Sequence, residues 1–168
     1  MTSTLDRGDR GPGWAQGRVG NVVFLDFRTD MPDESLEPSF EIITRTLARH
    51  PQGIVLIVIV GEPVRVPSTA TRRSIAAFLQ ARSDRLLLGC TVIEGDSVAA
   101  IVKRAAVSLM MTLLKAPYPH RTMRTVAVGC DFAAPKARDD SGAALGQGML
   151  VAAYAALRAP NVAIQPSS

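Results

Sequence analysis

The stretch Gly53-Ile54-Val55-Leu56-Ile57-Val58-Ile59-Val60 decides the fold. After the glycine every position is apolar, and most are β-branched. A strand with no polar face is buried on both sides, which places it inside a parallel sheet. Parallel strands need crossover helices, and helical spacing flanks the run on either side. Upstream, Ser35 to Arg49 carries Leu36, Phe40, Ile43, Thr44 and Leu47 on one stripe. Asp33, Glu34 and Glu37 open that helix, and Arg45, Arg49 and His50 close it, an order that suits the helix dipole. Pro51 stops it. Downstream, residues 61–67 form a loop with two prolines, and Ser68 caps a helix to about Ser83 with Ile75, Phe78 and Leu79 inward.

The same alternation extends outward. Asn21 to Phe27 reads as a strong strand, preceded by a short edge strand from Trp14 to Arg18, with Gly17 and Gly20 supplying a tight turn. Arg85 to Glu94 is the next strand. Asp96 then caps a long helix from Ser97 to Lys115, with Val98, Ile101, Val102, Ala105, Leu109 and Leu113 inward. Pro117 and Pro119 end it, and Arg121 to Val128 reads as a last strand. Ala133 to Asp140 is a polar loop, and Ser141 opens an Ala-rich helix to Arg158 bearing Leu145, Met149, Ala153 and Leu157 on one face. The expectation is one α/β domain over residues 14–158. Its sheet is mixed but mostly parallel, of four to five strands flanked by about four helices. Residues 1–13, polar and rich in glycine, read as a disordered leader, and 159–168 as an irregular tail that includes Val162 and Ile164.

Composition bounds the function. The 168 residues are 47% hydrophobic and 20% charged, which excludes a mostly disordered chain and a coiled coil. The formal net charge is +4. Of 19 basic residues only Lys103, Lys115 and Lys136 are lysine, a bias that reflects genome composition. The basic residues are scattered, with no run of five, and aromatics are only 5%, so stacking platforms for single strands are missing. Nucleic acid is therefore not the expected partner. The first residues contain no apolar signal segment, and the longest apolar stretch in a helical context, Ala105 to Leu114, is too short to span a bilayer. A cytoplasmic protein is expected.

No catalytic or metal spacing emerges. Cys90 and Cys130 with His50 and His120 match no zinc pattern, and the cysteines read as reduced core thiols. Gly142 to Gly148 lacks the strand-to-helix context of a phosphate cradle. Asp26 alternates to solvent on this reading, and a hydrolase using Asp26, His120 or Cys130 lacks a spaced triad. No cofactor is implied. The stretch Val66-Pro67-Ser68-Thr69-Ala70-Thr71-Arg72-Arg73 stands out, because it leaves the most buried strand and opens a helix. Functional sites in open α/β sheets gather at such strand ends. Its hydroxyls could carry a phosphate beside Arg72 and Arg73.

The element order and this hydroxyl cluster resemble the STAS domain family, the fold of sulphate-transporter domains and anti-sigma-factor antagonists. The resemblance covers about residues 14–158. A short hairpin leads into Asn21 to Phe27, a loop with Asp30 and Asp33 leads into the first helix, and the apolar strand ends at a Ser/Thr-bearing helix start. The family's Asp-Ser-Ser/Ala-Gly-Leu run is replaced here by Val-Pro-Ser-Thr-Ala-Thr. The resemblance implies a non-catalytic regulatory module that binds a protein partner, a kinase or regulator. Switching by phosphorylation would fall on Ser68 or Thr69. The docking surface would comprise Ser68, Thr69, Thr71, Arg72, Arg73 and the Glu62 loop. The alternative is an apolar-ligand or lipid carrier of the same fold, and a homodimer is a further partner expectation. Met110 and Met111 add an adaptable apolar end to the long helix.

Overall fold

A computed structural model describes residues 4–29, 31–65, 67–113 and 116–160; the side chains of Met110, Thr112 and Leu113 are outside the described set. Asp30, Val66, Lys115, Val162 and Ile164, all named above, likewise lie outside it. The chain is α/β, and its described residues form six strands and five α-helices. The strands are β1 (Asp6–Gly11), β2 (Trp14–Val19), β3 (Val22–Phe27), β4 (Ile54–Val60), β5 (Leu86–Ile93) and β6 (His120–Met123). The helices are α1 (Leu36–Arg49), α2 (Thr69–Gln80), α3 (Val98–Leu113), α4 (Val126–Ala133) and α5 (Gln147–Arg158).

All six strands form one sheet in chain order. The β1–β2 and β2–β3 pairs are antiparallel, and β3 through β6 are parallel. Because every crossover steps the same way along the sheet, α1, α2 and α3 share one face. Helices α4 and α5 cover the other. The run 54–60 is interior as expected, between β3 and β5. Val55, Ile57 and Ile59 enter the core under α4 and α5, with Phe24, Cys90, Leu150 and Leu157. Ile54 and Leu56 enter the core under α1, with Ile42, Ile43 and Leu47, while Val58 and Val60 are half-buried against it.

Four expectations are corrected. First, residues 6–11 are not part of a disordered leader but form β1, so β2 is an interior strand and not an edge. Gly11-Pro12-Gly13 is the reason: Gly13 takes φ 75°, the value a Pro-Gly turn centre needs, and folds β1 back on β2. The strand is polar because it is an edge. Its arginines serve as clasps: Arg7 and Arg10 donate to the carbonyls of Ala156 (2.8 Å) and Leu157 (2.7 Å) at the end of α5.

Second, the strand expected over 121–128 ends at Met123, and residues 126–133 are helix α4. Thr125 caps it, accepting from the Val128 N–H at 3.3 Å. Its buried positions Val126, Gly129, Cys130 and Ala133 follow a helical stripe. Third, the last helix begins at Gln147, not Ser141. Asp139 accepts from the amides of Ser141 (2.8 Å) and Ala143 (2.9 Å), a local turn that competes with helix. Fourth, α1 turns Thr44 outward and buries Ser39 and Thr46 instead; their hydroxyls bond back to the carbonyls of Ser35 and Ile42.

Gly20 and Asn21 tie the two ends of the domain together. Gly20 turns the chain between β2 and β3 at φ 53°, and a Cβ there would sit 1.9 Å from the Arg138 carbonyl. Asn21 accepts from the Arg138 amide at 2.8 Å and donates to the Lys136 carbonyl at 3.1 Å.

Candidate interaction surface

The carboxyl ends of β3, β4 and β5 and the starts of α2 and α3 share one edge of the sheet. At α2, Ser68 is the N-cap: its Oγ accepts from the Thr71 amide at 3.1 Å. The Thr71 hydroxyl donates to Asp33 Oδ1 at 3.1 Å, so the Ser68 hydroxyl, 2.8 Å away, donates to Thr71. Ser68, Thr71 and Asp33 thus form a one-way chain of hydrogen bonds that links α2 to the start of α1. They line one wall of a surface cleft of about 310 Å³ shared with Met31, Arg65 and Pro67.

Thr69 is different. It is exposed, as Ser68 is, but its Oγ1 accepts from the Arg72 guanidinium at 3.1 Å. A phosphate there would meet a cation already in place. On Ser68 it would break the cap and confront Asp33. The structure therefore brings Ser68, Thr69, Thr71 and Arg72 together. Arg73 is exposed on the same turn. Glu62 lies in the neighbouring loop, where its carboxylate crosses Gly95; a Cβ at Gly95 would lie 2.5 Å from Glu62 Oε2.

Helix α3 departs most from expectation. Val98 (77% exposed), Ile101 (54%), Val102 (60%) and Leu109 (60%), expected inward, face outward. Ala99, Ala105, Ala106 and Ser108 are exposed too. At about 100° per residue these eight positions fill roughly half the helix circumference. The side turned to the sheet carries Ala100, Lys103, Arg104, Val107 and Met111. The cations explain the inversion. Lys103 Nζ donates to the carbonyls of Glu62 and Val64 (2.8 Å to the latter), and Arg104 donates to those of Ile93 (2.9 Å) and Gly95 (2.8 Å). They pin both loops at the strand ends and hold the apolar half outward. Covering the four large side chains is worth roughly 4–7 kcal/mol, scaling 1.5–3 kcal/mol per side chain by the exposed fraction. Spacing alone finds this stripe but assigns it to the core.

Asp26, expected to alternate to solvent, is only 3% exposed. Val22, Phe24 and Asp26 share a face by strand alternation, and α5 covers that face. The Tyr154 hydroxyl donates to Asp26 Oδ1 at 3.0 Å, and Arg28 reaches both carboxylate oxygens, at 2.7 and 3.1 Å. Arg28 also contacts Glu94 and the Tyr154 hydroxyl. Burial opposes the charge on Arg28, but the hydrogen bonds it donates to Asp26 and Glu94 outweigh it and hold its pKa above the ordinary value. Burial, then the Asp26 charge, raises the Tyr154 phenol. The partners satisfy one another, so the cluster clamps β3, β5 and α5.

A second cleft, of about 480 Å³, lies at the far end of α3, lined by Met111, Ala116, Tyr118, His120 and Thr122 among others. Gly89 leaves room for the Tyr118 and His120 rings. His120 Nε2 lies 3.1 Å from Thr91 Oγ1, and burial lowers its pKa. Cys90 and Cys130 are free, buried thiols, pushed up to about 12 and about 11, chiefly by burial. Among the described residues no helix is long and apolar enough to cross a membrane, and no cluster of three or more His, Cys, Asp or Glu is arranged to hold a metal ion. No protein-family model, curated protein or solved structure matches the chain.

Proposed function

We propose that the protein is a non-catalytic, cytoplasmic, STAS-like regulatory module that acts by docking a protein partner. The docking surface is the apolar half of α3 with the start of α2, and Thr69 is the switch residue. The observation that carries this reading is the outward-facing stripe of Val98, Ile101, Val102 and Leu109. A contiguous apolar helix face held outward by its own cations is the signature of an interaction surface. The antiparallel hairpin leading into β3, and the Ser/Thr-bearing helix start after β4, support the family part of the reading.

Crosslinking capture from the native host, using the wild type and an Ile101→Ser/Leu109→Ser variant, tests it. The captured protein should be lost with the variant, and Thr69→Asp should weaken capture where Thr69→Ala does not. A partner captured equally by both the wild type and the double variant would refute the surface. The apolar-ligand alternative rests on the cleft between Met111 and Tyr118; native mass spectrometry showing a co-purified ligand would favour it.

A further inference from the structure

Building on that reading, we propose that the partner seated on α3 is a second copy of this chain, its α3 lying antiparallel on the first across a two-fold axis. The argument is the arrangement of sizes along the exposed half. A two-fold axis between Lys103 and Arg104 sets residue i of one copy at about the height of residue 207 − i of the other. Val102 then meets Ala105, and on one flank Ile101 meets Ser108, each a large side chain against a small one. Val98 meets Leu109, and on the other flank Ala99 meets Ala106. The stripe is complementary to itself, as an isologous contact requires.

Charge agrees. A chain of net charge +4 repels its own copy unless the contact avoids its cations. The eight exposed positions carry no charge, and the two cations of α3, Lys103 and Arg104, are turned inward onto carbonyls. A helix made for an anionic lipid surface would instead flank its apolar half with such cations. Interfaces of standard size use about 20–30 residues a side. Eight positions on one helix fall short, so the dimer is a weak and reversible one, with a dissociation constant on the order of tens of micromolar.

Sedimentation equilibrium of the full chain from about 1 to 300 µM spans that range. The expected result is a monomer–dimer equilibrium. Ala105→Arg should weaken it at least tenfold, with an unchanged circular dichroism spectrum. Val102→Ala and Ala105→Val should each weaken it, and the double exchange Val102→Ala/Ala105→Val should restore it, because each pair only trades places. The exchange set keeps the test informative if the arginine variant misfolds. A wild type that stays monomeric, or a dimer indifferent to these changes, overturns the proposal. So does a monomer that begins to self-associate when cut after residue 160, which would assign the stripe to the chain's own end. A monomeric wild type whose captured partner is still lost with Ile101→Ser/Leu109→Ser would overturn only the second copy and leave the docking surface standing.

Discussion

Replacing Asp26 by Asn keeps the size of the side chain and removes its charge. The carboxylate is 4% exposed and accepts from three groups: two Arg28 nitrogens and the Tyr154 hydroxyl. An amide oxygen in place of Oδ1 can still accept from Tyr154 and from one Arg28 nitrogen, but the NH₂ then faces the Arg28 Nε–H donor. Arg28, with its side chain 20% exposed, keeps Glu94 as its only carboxylate. Arg158, 3.8 Å from Asp26, is itself half exposed and compensates little. Removing one partner of a buried pair costs about 3–5 kcal/mol, and the remaining Glu94 contact argues for the lower figure, about 3. With a urea slope of about 2 kcal/mol/M the midpoint falls by roughly 1.5 M, with the slope unchanged. Tyr154→Phe, which loses the bond donated to Asp26 and the one accepted from Arg28, costs about 1–3 kcal/mol. In a double-mutant cycle the two changes cost less together than their sum, since Asp26 and Tyr154 both hold Arg28 in one network. Urea titrations followed by circular dichroism measure all three. A loss below about 1 kcal/mol for Asp26→Asn would refute the clamp, because a charge so placed cannot be removed that cheaply.

Ser68→Ala should lower stability by about 1 kcal/mol through loss of the cap, while Thr69→Ala stays within about 0.5, a contrast read from thermal melts. Equal losses would contradict the division of labour at α2. Burial lowers the His120 pKa below 6.5, so unfolding takes up a proton in acid. Stability should therefore fall as pH drops through about 6.5, and His120→Gln should flatten that slope. The Arg18 hydrogen bond holds the Asp140 carboxyl low, so its contribution disappears only below about pH 4, outside the His120 window. Cys90 and Cys130, raised to about 12 and about 11, should resist iodoacetamide at pH 8 in the native protein and react fully in denaturant.

The parallel layer was legible because Ile54 to Val60 is apolar at every position, a pattern only an interior strand tolerates. The cap at Ser68 was equally plain. The misread segments are those where tertiary bonds overrule local pattern. Asp6 to Gly11 has no apolar face, and its strand rests on pairing with β2 and on arginine forks that reach across the fold. Val126 to Val128 alternates like a strand over three residues, too few to distinguish a period of two from 3.6. The Thr125 cap and the stripe through Ala133 carried the better signal. Of the candidate site, the hydroxyls were readable, but their ordering through Asp33 was not, because it depends on a contact 38 residues away. The α3 stripe was found and placed on the wrong side, since hydrophobic spacing says which residues share a face but not where that face points.

Among the described residues the two faces of the sheet are covered unequally, and this explains why α3 behaves as it does. Beneath α4 and α5 the core closes on fully buried Phe24, Ile57, Cys90, Leu150 and Leu157. On the other face α1 is seated by Ile42, Ile43 and Leu47, but α2 buries only Thr71, and Ala100 is the one buried side chain described in α3. Rolling α3 by half a turn would recover roughly 4–7 kcal/mol of apolar burial. It would also break four bonds from charged donors to carbonyls, worth about 1.5 kcal/mol each at the low end, or about 6 together. The terms are comparable within the isolated chain, and the loop carbonyls at the strand ends decide for the outward pose. A contact that covers the stripe without disturbing Lys103 and Arg104 satisfies both demands at once, and only a second surface laid on the outside of the helix can do that.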